Sequence, residues 1–358
     1  MTDTPLRQIY FYLTEGCNLA CRHCWLAPKL DPDGTRYPVL APDDFETVIR
    51  QAKPLGLQSV KLTGGEPLLH PQISALLKTV RREELGLVIE TNGILCTPEL
   101  AAEIAAVRRH FVSVSLDGAD AAAHEWVRGV PGSFERACTG LRNLAAAGIR
   151  PQVIFSLMPH NAGQIDAVIR LAESLGAGSV KFNVIQPIER GEALHERRQH
   201  LGVAELIALG RKVEGEWTGQ TRLRLFFHYP LAFRSLRRLS AGYGGSACGV
   251  KGILGVLPGG EFALCGIGEK VPDLIFGHSH VDRLADVWRD HPVLNSLRGG
   301  LPDLLEGVCG RCLLKGRCMG SCLAQNYYRS RNLFAPHWFC EAAEAQGLFP
   351  ASRLMHSP

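Results

Sequence analysis

The sequence predicts an α/β fold, a partial (β/α)6 barrel followed by a small cysteine-rich domain, on three observations. Short runs rich in β-branched and aromatic residues alternate with helical patterns six times in the first two hundred residues. Beyond about residue 225 that alternation yields to Gly- and Cys-rich turns. The chain has 358 residues and is 46% hydrophobic, so it exceeds the roughly 250–300 residues at which a single core usually stops growing.

The runs at 8–14, 58–63, 86–91, 111–116, 152–158 and 179–185 read as buried strands. Between them, 42–53, 71–80, 98–109, 133–147 and 161–175 carry apolar residues at helical spacing, and several open with Pro, Ser or Asn. Such alternation means a parallel sheet with right-handed crossovers. Six units are two short of a closed barrel, so the sheet is expected to stay open, with its chemistry at the C-terminal strand ends. Polar and Gly-containing segments fall there, at 15–24, 64–67, 92–93, 117–118 and 186–187. The charged stretch 189–200 reads as a solvated face. A helix at 203–217 and a strand near 222–227 precede the boundary, which divides the chain into 1–225 and 226–358.

Lys and Arg number 39 against 35 Asp and Glu, a net charge of +4 without a long basic run, so nucleic acid is not an expected partner. The N-terminus lacks a signal-peptide layout, and no apolar stretch approaches the roughly 18–20 residues a membrane span needs. A cytoplasmic protein that does not bind membranes is expected. Twelve cysteines are unusual in such a chain, because the cytosol keeps thiols reduced. Their clustering points to metal ligands.

Cys17-x3-Cys21-x2-Cys24 offers three thiolates on one loop, one short of a closed zinc site or a saturated iron–sulfur cluster. Three such ligands can hold a [4Fe–4S] cube and leave its fourth iron open. CNLACRHC, followed one strand later by GGEP, resembles the radical S-adenosylmethionine (SAM) superfamily. The resemblance implies that the open iron chelates SAM, whose reductive cleavage gives a 5′-deoxyadenosyl radical that takes hydrogen from a substrate. It also implies that Gly64, Gly65, Glu66 and Pro67 form the methionine-binding turn, and that Ser115 of SLDG bonds the ribose. The resemblance further implies that Arg128 takes the SAM carboxylate and His23 borders the adenine, and that Asn92 of ETNG is a cofactor contact or simply part of a tight turn. Zinc on the three thiols is the alternative.

Cys309-x2-Cys312-x5-Cys318-x3-Cys322 sets four thiolates within fourteen residues. Cys248 and Cys265 flank a hairpin over 251–264, and Cys340 follows an aromatic segment. These seven cysteines resemble the SPASM domain of radical SAM enzymes. That likeness implies two auxiliary [4Fe–4S] clusters, three in the whole chain. Cys309, Cys312, Cys318 and Cys340 would ligate the outer one, with Cys248, Cys265 and Cys322 on the inner one. The segment GYGGSA before Cys248 supplies no eighth cysteine, so the inner cube is expected to lack one cysteine ligand. Structural zinc is again the alternative. Cys96 and Cys138 stand apart, Cys138 as a small core residue.

The family resemblance further implies a maturase acting on a ribosomally made precursor peptide by crosslinking, oxidation or backbone excision. A flavodoxin- or ferredoxin-type electron donor is implied too. Only about six residues precede the first strand, so either a separate leader-binding protein or direct leader recognition by the barrel is expected. The rival readings are a sulfatase maturase forming formylglycine, a small-molecule radical SAM dehydrogenase, and a non-enzymatic metal-binding module. His160 and Glu189 follow strands five and six, but nothing marks either as a catalytic base rather than a surface residue.

Overall fold

The six strand–helix units form where the hydrophobic periodicity puts them, because each strand offers one face to a helix and the other to an interior. A computed structural model describes residues 4–242 and 248–355. Its strands are β1 (Gln8–Tyr12), β2 (Ser59–Thr63), β3 (Gly86–Thr91), β4 (His110–Ser115), β5 (Gln152–Leu157) and β6 (Ser179–Val184). Between them run α1 (Pro42–Ala52), α2 (Ile73–Arg82), α3 (Pro98–Ala105), α4 (Ala121–Arg128), α5 (Ser133–Ala146) and α6 (Ile165–Ser174).

The local chemistry accounts for the helix starts. Pro42 opens α1 with Asp43 and Asp44 in its first turn, where the helix dipole favours acids. Thr97 caps α3, and Asp120 caps α4 by accepting the Ala123 N–H at 2.8 Å. Gly129 ends α4 in the left-handed region at φ 74°.

The sheet goes beyond six strands. β7 (Arg224–His228) adds in parallel to β6, and β8 (Ile253–Val256) adds in parallel to β1 at the opposite edge. β9 (Glu261–Ala263) and β10 (Ile275–His278) then continue antiparallel, giving the order β10-β9-β8-β1-β2-β3-β4-β5-β6-β7. The sheet is open, as expected of a partial barrel, and residue 225 lies within β7. The hairpin expected over 251–264 is β8–β9, turning at Gly260 with φ 98°.

Ile9, Phe11, Val60, Leu62, Ile89, Val114, Phe155, Phe182 and Phe227 point outward into the helix layer and are fully buried. Truncating one of the phenylalanines to alanine costs about 3–5 kcal/mol, and one of the isoleucines or Leu62 about 2–5 kcal/mol, through lost transfer energy and a cavity. Strand residues of the opposite parity, among them Tyr10, Lys61, Glu90, Ser115, Ser156, Lys181 and His228, turn into the barrel. Cys96 and Cys138 sit in the helix-side core, both buried. After β10, short helices including Gly307–Gly310, Lys315–Cys318, Leu323–Ser330 and Trp338–Ala345 wrap the second cysteine group. Among the described residues no helix is long and apolar enough to cross a membrane.

Candidate active site

The loop after β1 carries the first three cysteines and is held by its own backbone. Gly16–Cys17 pairs in parallel with Lys29–Leu30, and Asp31 donates its N–H to the Cys17 carbonyl at 2.7 Å. The fully buried Asp31 carboxylate accepts the N–H groups of Gly34, Thr35 and Arg36 at 3.0–3.2 Å. Cys17, Cys21 and Cys24 line one cavity of about 400 Å³. Burial, then the Glu66 charge and the Cys21 thiolate, push the Cys17 thiol well up. Burial and Cys21 push Cys24 up to about 11. Neighbouring thiolates thus penalise Cys17 and Cys24, a deficit that a cationic iron–sulfur core would relieve.

GGEP locks against that loop. Gly64 has φ 120°, and a Cβ on Gly65 would overlap the Gly16 carbonyl oxygen. Only glycine lets the two segments approach this closely. Gly65 and Glu66 donate their N–H groups to the Thr14 and Gly16 carbonyls. Pro67 begins a 3-10 turn, Pro67–Leu69. Buried Glu66 accepts from the Leu68 N–H, the Thr91 hydroxyl and the Asn92 N–H at 3.1, 2.6 and 2.8 Å. Burial raises its carboxyl pKa against these three donors. The Asn92 amide donates to Asn18 Oδ1 at 2.7 Å, tying the third strand end to the cysteine loop.

Arg128 ends α4 and is buried beside the thiols. Its guanidinium meets Asp117 Oδ2 at 2.6 Å and donates to Cys21 Sγ at 3.5 Å. Burial works against its charge, but Asp117 and Cys21 outweigh that and raise its pKa. Asp117 Oδ1 accepts the Ser156 N–H at 2.6 Å. His23 has its pKa lowered to about 4 by burial, and its Nδ1 and Arg128 Nε are buried without a hydrogen-bond partner. Orphaned buried donors and acceptors of this kind fit a polar ligand at this wall. Ser115 lines the same cavity. The structure therefore brings Cys17, Cys21, Cys24, His23, Gly64, Gly65, Glu66, Asn92, Ser115 and Arg128 to one wall, while Pro67 stands behind it.

Cys248, Cys265 and Cys322 line the same cavity. Burial raises all three thiols, Cys265 to about 12, and Cys248 and Cys265 are raised further by the thiolates around them. Residues 243–247, most of the GYGGSA segment, lie outside the described residues. Cys309, Cys312, Cys318 and Cys340 line a separate, small apolar cavity. There the His337 and Leu314 N–H groups donate to the Cys309 and Cys312 sulfurs, each at 3.4 Å. Among the described residues no three His, Cys, Asp or Glu side chains converge on a point where one ion would sit.

Several residues here escaped the sequence reading. Arg190, in the stretch expected to be solvated, begins α7 (Arg190–Glu196) and donates to the carbonyls of Cys21 and Pro28 at 3.1 and 2.9 Å. It braces the cysteine loop. Lys61 pairs with Glu90 at 2.7 Å and lies 4.8 Å over the Tyr10 ring. Glu90 keeps 38% of its side chain open, but onto the cavity rather than bulk water. Burial disfavours its charge, yet Lys61 and Lys181 hold its pKa below the usual carboxylate value. A charge in the middle of a buried strand, as in SVKLT, GLVIET and SVKFNV, was the signal available. His160 is exposed and stacks on Trp126, away from this set.

Residues 11–172 match the radical SAM superfamily. Over 99% of the chain it is 31% identical to a mycofactocin maturase, MftC, of Mycobacterium ulcerans, covering 92% of that protein. The chain belongs to the radical SAM superfamily. A SAM-binding [4Fe–4S] centre comes with that membership. This radical SAM enzyme is also 29% identical to an AdoMet-dependent heme synthase of Methanosarcina barkeri over 95% of its own length and 97% of the other's. Its fold is shared with Streptococcus suis SuiB bound to the precursor peptide SuiA, with TM-score 0.73, 19% identity and coverage of 95% of this chain and 76% of SuiB.

Proposed function

We propose that this radical SAM enzyme is a maturase that modifies a ribosomally made peptide, with residues 1–225 as the catalytic barrel and 226–358 as a SPASM domain. The observation that carries the proposal is the cavity lined both by Cys17, Cys21 and Cys24 and by Cys248, Cys265 and Cys322. The near full-length relationship to a mycofactocin maturase supports it. In this reading Cys17, Cys21 and Cys24 hold the SAM cluster, Cys248, Cys265 and Cys322 the inner auxiliary cluster, and Cys309, Cys312, Cys318 and Cys340 the outer one. When bound, the first cluster and SAM supply a carbon radical that removes hydrogen from the substrate.

The chain's own residues orient and exclude. Arg128, fixed by Asp117, presents a cation to the SAM carboxylate. Glu66 holds the strand ends that frame the methionine, Ser115 faces the ribose, His23 borders the adenine, and Asn92 is a further cofactor contact. Trp25, Leu26 and Ile154 add apolar wall. An electron donor of flavodoxin or ferredoxin type completes the system.

The relationship to the heme synthase favours a second reading, a small-molecule substrate. Incubating the anaerobically reconstituted enzyme with SAM, reductant and either a precursor peptide from its own gene neighbourhood or a heme-precursor porphyrin decides between them. The maturase reading expects a mass change in the peptide with 5′-deoxyadenosine released. Turnover of the porphyrin and an unchanged peptide would overturn it.

A further inference from the structure

Apart from the GGEP turn and the cysteine loop, the barrel interior carries an ionic set of its own. Lys61 on β2, Glu90 on β3 and Lys181 on β6 all line the central cavity. A charge in the middle of a buried strand costs free energy unless an opposite charge offsets it. Glu90 pairs with the Lys61 ammonium at 2.7 Å. At Lys181 burial lowers the pKa, with Glu90 acting against that and Lys61 with it. Two cations against one carboxylate leave the set with a net positive charge. Lys61 keeps only 16% of its side chain open, so dissolved salt screens its charge little.

Strand register brings this set to the second group of thiols. Lys61 is the partner of Tyr10 across β2 and β1, and Tyr10 is the partner of Gly255 across β1 and β8. A Cβ at Gly255 would fall 2.8 Å from the Cys265 Cα, so Cys265 packs directly on that ladder. Neighbouring strands lie about 4.8 Å apart, which puts the Lys61 backbone on the order of 10 Å from Cys265. The Lys61 ammonium lies over the Tyr10 ring at 4.8 Å. Burial raises the Tyr10 phenol, and Cys248, Glu90, Cys265 and Cys322 raise it further, so one ring feels both the ionic set and the thiols. At Cys248 and Cys265 burial raises the thiols and the Lys61 charge opposes it.

We infer that Lys61 and Glu90 set the reduction potential of the inner auxiliary cluster, Lys61 raising it and Glu90 limiting the rise. Three thiolates on a doubly positive cube leave a negative charge, and the electron the cube accepts adds another. A fixed cation therefore favours the reduced form and a fixed carboxylate the oxidised one. The surplus cation makes the oxidised cube a stronger acceptor of one electron. The inference rests on the proposed cluster at Cys248, Cys265 and Cys322, which iron content checks separately.

The test is a potentiometric titration of the reconstituted holoenzyme without substrate, followed by electron paramagnetic resonance. The inner cluster's signal is the one lost, with about four irons, when Cys248, Cys265 and Cys322 are replaced by Ala together. Unchanged iron in that variant would defeat the cluster reading and the inference with it. Lys61→Met should lower the inner midpoint, on the order of tenfold in the reduction equilibrium, or about 59 mV. Glu90→Gln should raise it. The double variant restores the net charge of the set and should lie nearer the parent midpoint than either single variant. Lys61→Arg keeps the cation and should hold the midpoint, and the outer cluster, in its separate cavity, should keep its own. An unmoved inner midpoint in Lys61→Met, or shifts of the same sign in Lys61→Met and Glu90→Gln, would overturn the inference while leaving the cluster reading intact.

Discussion

Arg128 shows how one side chain can hold the site's shape and its ligand together. Its guanidinium neutralises Asp117 in a buried pair, and breaking such a pair from one side costs about 3–5 kcal/mol because the partner stays buried and charged. Arg128→Ala should therefore lower thermal stability as well as weaken SAM binding, the latter by about 1.5–3 kcal/mol as for a charge-assisted hydrogen bond. Adding Asp117→Asn should recover most of the stability and none of the affinity, read by unfolding and by calorimetry with SAM. Glu269 gives a pH signature. Burial, against Lys270 and reinforced by Glu15, raises its pKa from 4.5 to about 7. The folded chain thus holds a proton that the unfolded chain has released between those values, so stability falls as pH rises through that window. The loss is at most about 3 kcal/mol. Glu269→Gln should flatten the slope in denaturant titrations between pH 4.5 and 7.

At the scale of elements, the cysteine loop and the GGEP turn behave as one piece. Gly65 has no space for a methyl group against the Gly16 carbonyl, so Gly65→Ala should push the loop aside and cost the protein about one cluster's worth of iron, about four atoms. Iron and sulfide analysis after reconstitution checks this, with the C-terminal clusters retained. Much of this level was legible in the sequence. Periodicity located α1, α2 and α5 to within about two residues and found α3 and α6 with one end of each up to four residues off, because each buries an apolar stripe against the sheet. It passed over α4, whose eight residues include only a short apolar stripe and which depends on Asp120 and Gly129 for its limits. It read the charges of 189–200 as solvated, although Arg190 spends its charge on loop carbonyls. Partners distant in sequence decide such cases.

Over the whole molecule, spacing alone marked the loop of Cys17, Cys21 and Cys24, whereas the separation of Cys322 from Cys309, Cys312 and Cys318 was only implied by the family resemblance, since it depends on partners some sixty to seventy residues away in the chain. The ionic set of Lys61, Glu90 and Lys181 was not foretold, because it arises only when three strands fall into register. Full reconstitution should load on the order of twelve irons. Replacing Cys17, Cys21 and Cys24 by Ala together should remove about a third of them and abolish 5′-deoxyadenosine release. Persistent SAM cleavage in that variant would contradict the assignment.

The pairing of β8 with β1 joins Ile253–Val256 to Gln8–Phe11, across some 245 positions of chain. During synthesis β1 emerges early, yet its outer edge waits unpaired until most of the polypeptide has left the ribosome. Such high contact order slows folding, and a bare edge strand invites pairing with other chains. The nascent barrel is thus exposed to misassembly for as long as translation of its second half takes. A fragment ending at residue 242 should self-associate where the full chain does not, as light scattering would show.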